Sequence, residues 1–194
     1  MSKVDWVSFI KQRKEYDHIS AVRAAYQTRI FVRSMIYMVI IALIMYLCGL
    51  LPECLLLFVA LKLYRENAGG IHIQGYIKCF IFSLLSIWLT ILMSTLLPAQ
   101  GLIELILVVY SSIIWYVYVP QGTSQRPIRK KEEKKKMKLS FGILIILTLI
   151  TRFINVSVYS LLLWALVLVL TMITPIVYKL FKVTHDRVNS KDMI

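Results

Sequence analysis

A histidine and a cysteine lie in one polar, glycine-broken gap between two apolar segments: Arg65-Glu66-Asn67-Ala68-Gly69-Gly70-Ile71-His72-Ile73-Gln74-Gly75-Tyr76-Ile77-Lys78-Cys79. A thiolate is a competent nucleophile, and an imidazole, with a reference pKa of about 6.5, can take the thiol proton near neutral pH. The pair is seven positions apart. On one straight helix that spacing gives the same face but a separation of about 10 Å, against the roughly 3 to 4 Å that proton transfer needs. His72 is therefore expected off the helix that bears Cys79, on a turn made by Gly69, Gly70 and Gly75, whose backbones tolerate the fold-back. Cys79 is expected at the start of an apolar helix, where unpaired N–H groups and the helix dipole favour a thiolate, with Lys78 beside it. Such a pair is more often an interfacial histidine beside a core cysteine, so these residues alone leave catalysis and packing both open.

The remaining candidates are plainer. Cys48 and Cys54 lie in apolar sequence and are expected to be buried packing residues, because a free cysteine behaves as a small hydrophobe. No spaced disulfide framework is apparent. His18 and His185 sit in polar ends and are read as solvated. No second His or Cys stands at ligand spacing and no His-Glu-x-x-His occurs, so neither a metal nor another cofactor is expected. Arg65, seven residues before His72, is the basic residue placed to meet a substrate carboxylate or to hold the glycine turn.

The elements that position these groups must be membrane helices. The 194 residues are 59% hydrophobic, the mean hydropathy is +0.73, and one small soluble core cannot bury that surface. The net charge of +13 flanks long apolar runs without a nucleic-acid fold signature, so no nucleic-acid partner is expected. Apolar runs occupy about 32–51, 54–64, 76–97, 102–119, 139–151 and 156–181. A crossing needs about 20 residues, so the second and fifth runs are short. Pro52, Pro98 with Gly101, and 152–155 separate neighbouring spans as tight turns. Residues 3–30 mix basic residues with Trp6, Phe9 and other apolar ones, and read as one or two amphipathic interfacial helices broken or capped near Asp17 and Ser20. Residues 1–14 lack the order of a cleavable signal peptide, so targeting is expected to come from the spans.

With the N-terminus inside and six crossings, 22 of the 23 Lys and Arg residues fall on the cytoplasmic side, Arg152 excepted, as the positive-inside rule asks. The expected fold is thus an all-α polytopic membrane protein of about six transmembrane helices, with an amphipathic N-terminal region and both termini cytoplasmic. Its single domain, 1–194, divides into interfacial helices 1–31, a four-span part 32–119 with the gap at 65–79, a basic cytoplasmic loop 120–138, a two-span part 139–181 and a tail 182–194. In the loop, Arg126, Arg129, Lys130, Lys131, Lys134 and Lys135 can cradle an acidic substrate or rest over anionic lipid; both can hold at once. Glu53 and Glu104 are expected at outer ends of spans, within reach of water.

Arg65 followed by Ala68-Gly69-Gly70, His72 and Cys79 resembles the signature block of the accessory gene regulator B (AgrB) family, the membrane-embedded cysteine endopeptidases of Gram-positive quorum sensing. Val117-Tyr118-Val119-Pro120, with Thr123, Pro127-Ile128 and the lysine-rich stretch, is similar to the family's Tyr-x-Pro segment, and Asp17-His18-Ile19 with Val22-Arg23 gives a third, weaker match. Glu66 and Lys78 depart from the pattern. The resemblance implies that Cys79 is the nucleophile and His72 the general base, in a multi-pass protein of the bacterial cell membrane with its gap at the cytoplasmic face. It implies a propeptide substrate whose acidic C-terminal tail is cut off and whose new end is joined to an upstream Cys or Ser as a thiolactone or lactone. Partners would be that propeptide, the anionic bilayer and, as a candidate, a second copy of the chain. The competing readings are a small six-helix transporter or peptide exporter without catalysis, which would call for mid-membrane ionisable groups and an internal repeat, and a membrane adaptor that docks a partner through its N-terminus.

Overall fold

The computed structural model describes residues 18–69, 76–121 and 131–180, and its elements are all helices: α1 His18–Leu47, α2 Leu51–Ala68, α3 Tyr76–Leu96, α4 Gly101–Tyr118, α5 Lys131–Ile154, α6 Val156–Met172 and α7 Pro175–Leu180. Among the described residues there is no strand, only one isolated bridge between Gly69 and Gln121. The chain divides into two compact units, 1–51 and 52–194.

In the first unit, α1 continues unbroken from His18 to Leu47. The break or cap expected at Ser20 is absent, because residues 19–31 contain no Gly or Pro and are rich in Ala, Arg and Gln, good helix formers. Residues 1–17 of the expected interfacial region lie outside the described residues. The helix ends on Gly49, at φ +72°. Its N–H donates to the Tyr46 carbonyl at 2.9 Å, and the Leu50 N–H donates to the Met45 carbonyl at 2.8 Å. This crossed pair satisfies carbonyls that the helix end would otherwise leave open. Cys48, in this turn, is exposed. The burial expected of it fails because the chain is leaving the helix there, whereas Cys54, inside α2, is buried.

In the second unit, α6 packs against α3, α4 and α5. It is the most deeply buried of the helices, with Tyr159, Ser160, Leu161, Leu162 and Leu163 covered in succession. A helix apolar all round belongs at the centre of a bundle. The turns grip it from one end. The Ala99 N–H donates to Ser160 Oγ at 3.0 Å, and Trp164 Nε1 donates to the Leu97 carbonyl at 2.8 Å, which fixes the Pro98 turn. Asn155 caps α6 by accepting from the Ser157 and Val158 N–H groups at 2.9 and 3.1 Å. The tight turns expected at Pro98–Gly101 and at 152–155 are both found.

The surface is inverted relative to a water-soluble bundle. Leu102, Ile113, Val117, Ile146 and Phe153 are exposed, while Thr90, Thr148 and Ser160 are buried and hydrogen-bonded within the protein. Hydroxyls facing inward and aliphatics outward suit a lipid surround, in which polar groups must find partners inside the protein. By length and composition, α4 and α5 are the helices able to cross a membrane, while Val32–Leu47, Phe80–Leu96 and Val156–Met172 are shorter apolar stretches. The two short apolar runs belong to longer helices. α2 has 18 residues and α5 has 24, so each carries its polar flank as helix and not as loop.

Candidate functional site

The gap begins where α2 ends. Arg65 stands in the last turn of α2, where a cation complements the partial negative charge of the helix carbonyls. The Asn67 side-chain amide folds back to the Leu63 carbonyl at 2.9 Å. Ala68 is fully buried. The Gln121 N–H donates to its carbonyl at 3.0 Å, so a residue distant in sequence caps α2. Gly69 adopts φ +81°, and a Cβ there would sit 2.1 Å from the Gln121 carbonyl oxygen. Both facts require glycine. The permissive backbone expected of Gly69 is used to admit the Gln121 carbonyl, while the turn expected to carry His72 back over Cys79 lies outside the described residues. His72, Gly70 and Gly75 lie outside the described residues, and Cys79 is the fourth residue of α3, its side chain likewise outside them. The expected meeting of imidazole and thiol therefore falls beyond the described part of the chain.

Around this seam the bundle is tied firmly. Tyr64 on α2 shares a 2.6 Å hydrogen bond with Thr148 Oγ1 on α5 and stacks edge-on to Phe141 at 6.1 Å. Across the α4–α5 connection, Trp115 Nε1 donates to the Lys138 carbonyl at 3.2 Å, and Lys138 Nζ donates to the Tyr116 carbonyl at 2.8 Å. The ammonium also lies 4.6 Å from the Tyr116 ring centroid, a favourable cation–π distance. Gly142 leaves room for the Trp115 indole, which a Cβ would meet at 3.0 Å.

The basic stretch is not wholly the loop that 120–138 was expected to form. Residues 131–138 are the opening turns of α5, with Glu132 and Glu133 in the first turn, where acids are favoured by the dipole. Helical form sorts the candidate substrate contacts by face. At about 100° per residue, Lys131, Lys134, Lys135 and Lys138 fall on one side of α5 and Lys136 on the other. Lys138 fixes the direction of that side, because it reaches the carboxyl end of α4. Lys131 and Lys135 are exposed and Lys134 half-buried, while Arg126, Arg129 and Lys130 lie outside the described residues. The acids at 132–133 and the lack of Gly or Pro between Pro127 and Gly142 were the signals for a helix start.

Glu104 also departs from expectation. Its carboxylate is 14% exposed and pairs with Arg152, while Tyr159 Oη donates to it at 2.9 Å. It is served by protein, not by bulk water, because Arg152 and Tyr159 flank the α5–α6 turn directly beside it. Among the described residues no group of three or more His, Cys, Asp or Glu side chains could hold a metal ion.

The model of accessory gene regulator B matches residues 4–177. The chain belongs to that family. It is 23% identical to protein FsrB of Enterococcus faecalis over 92% of this chain and 76% of the relative. It is 22% identical to the accessory gene regulator protein B of Staphylococcus saprophyticus, over 91% and 94% of the two chains. An AgrB-like protein of Clostridium acetobutylicum is 27% identical over 55% of this chain and 52% of its own. No solved structure matches the chain. As a member of the AgrB family it is an accessory gene regulator of quorum sensing, and its two long apolar helices accord with association with the membrane.

Proposed function

We propose that this AgrB protein is a membrane-embedded cysteine endopeptidase that removes the acidic C-terminal tail of an autoinducer propeptide and closes the remaining peptide into a ring. The observation that carries the reading is the family match across residues 4–177, which includes the His72–Cys79 block. In this mechanism His72 takes the Cys79 proton as the sulfur attacks the scissile carbonyl. The same proton then goes to the amine of the departing tail, leaving an acyl-enzyme thioester. An upstream Cys or Ser of the bound peptide attacks that thioester, forms the thiolactone or lactone and returns the Cys79 thiol. Exchange of one thioester for another conserves most of the bond energy, so no ATP is required. Cyclisation outruns hydrolysis because the internal nucleophile is held close, an effect of high effective concentration, and because a site at the membrane edge limits water. Positive-inside charge supports six crossings with both termini and the gap on the cytoplasmic side. There Arg65 and the basic residues Arg126, Arg129, Lys130, Lys131, Lys134 and Lys135 would meet the acidic tail.

The test is co-expression with the propeptide from a short neighbouring reading frame, followed by mass spectrometry of the products. Cys79→Ala and Cys79→Ser should give neither cleaved nor cyclised peptide at normal protein abundance, while Cys48→Ala and Cys54→Ala remain active. Substantial processing by either Cys79 variant would end the cysteine-protease reading.

A further inference from the structure

Two helices, α2 and α4, end at one point. The chain departs α2 at Gly69, three residues before His72, and departs α4 through Pro120 and Gln121, five residues before Arg126. At that point main-chain atoms join them. The Gln121 N–H caps the Ala68 carbonyl at 3.0 Å, and the Gln121 carbonyl oxygen occupies the space a Cβ on Gly69 would need. Each segment is anchored behind the seam, one by Tyr64 on Thr148 and the other by Trp115 and Lys138. From this geometry we infer that the Gly69–Gln121 seam is a positioning element of the site, holding the start of the His72 segment against the start of the basic segment through backbone contact.

Reach sets the constraint. Three residues span at most about 10 Å, so the origin of the segment at Gly69 limits where His72 can be delivered. A general base acts only within about 3 Å of its proton, and a shift of about 1 Å at a positioning group can cost about a hundredfold. Gly69 and Gln121 are positioning residues in this proposal, acting through His72. The inference rests on the Cys79–His72 reading and goes beyond it by naming Gln121 and the main-chain contact.

The test uses the full chain in native membranes and reads alkylation of Cys79 by iodoacetamide against pH, a rate that follows the thiolate fraction. Exposed Cys48 serves as the internal control for reagent access. Gly69→Ala places a Cβ against the Gln121 carbonyl, and Gln121→Pro removes the N–H that caps Ala68. Each should slow Cys79 alkylation at pH 7 by at least about fivefold and move its pH profile toward that of His72→Ala, since thiolate formation is what the base promotes. The loss in Gln121→Pro should exceed that in Gln121→Ala, which keeps both backbone groups. Asn155→Ala, which removes the α6 cap at the other end of α4, should lower thermal stability and leave the pH profile in place. If His72→Ala itself has no effect, the dyad reading fails. If His72→Ala slows alkylation while Gly69→Ala and Gln121→Pro do not, the dyad stands and the seam proposal is overturned. Equal losses in Gln121→Ala and Gln121→Pro would assign the role to the side chain and also overturn it. Failure of both seam variants to accumulate would make the seam a folding requirement and overturn the positioning role as well.

Discussion

The two ends of α4 are held in opposite ways. At its amino end, side chains do the joining: Glu104 takes Arg152 and Tyr159 Oη, Ser160 takes the Ala99 N–H, and Asn155 caps α6. At its carboxyl end, backbone atoms carry much of the joining. The Gln121 N–H meets the Ala68 carbonyl, and the Trp115 indole and the Lys138 ammonium each seek a carbonyl. A small helical bundle can in this way be tied at both ends of one helix by different kinds of contact. At the first end a side-chain cluster, Glu104 with Arg152 and Tyr159, makes the tie. At the second end Lys131 and Lys135 stay exposed.

The two ends should therefore give separable phenotypes. The largest effect belongs to the carboxyl end. Neutralising Lys130, Lys131, Lys134 and Lys135 together should weaken propeptide binding by about tenfold or more, because several screened charge contacts are lost at once. Thermal stability should hardly change. Binding to the wild type should weaken with added salt, and binding to the variant should be nearly salt-independent. Equal affinity with and without the four lysines would leave this helix start as a topology signal only.

At the amino end, Glu104→Ala should lower the unfolding free energy in detergent by about 1–2 kcal/mol, discounted because Arg152 is half exposed. The rate of Cys79 alkylation should stay the same. A loss of Cys79 reactivity in this variant would show that the two ends are coupled and do not divide stability from chemistry. The smallest effect is expected from Asn155→Ala, about 1 kcal/mol for one lost helix cap, measured by the same melting experiment. No change at all would mean that water replaces the cap.

Much of the fold was legible because apolar helices announce themselves locally. Apolar runs, Pro52, Pro98 and the 152–155 turn act within a few residues, and the helices follow them. Element ends were less legible. Lys131–Lys138 read as loop because charge suggested solvent, yet Glu132 and Glu133 start a helix there. Glu104 read as solvated because its partners, Arg152 and Tyr159, are far away in sequence and no periodicity links them.

The sequence by itself determined the all-helical class, the order of the apolar helices, the position of Cys79 near the start of one of them and the family block around His72. These depend on hydrophobicity, turn residues and spacing, which are properties of contiguous chain. Only the tertiary structure decided that Gly69 is required by the Gln121 carbonyl, that α2 is capped by Gln121, and that α6 is the helix against which α3, α4 and α5 pack. Those outcomes depend on which backbone groups are left unsatisfied after packing, and they find their partners across the bundle and not along the chain.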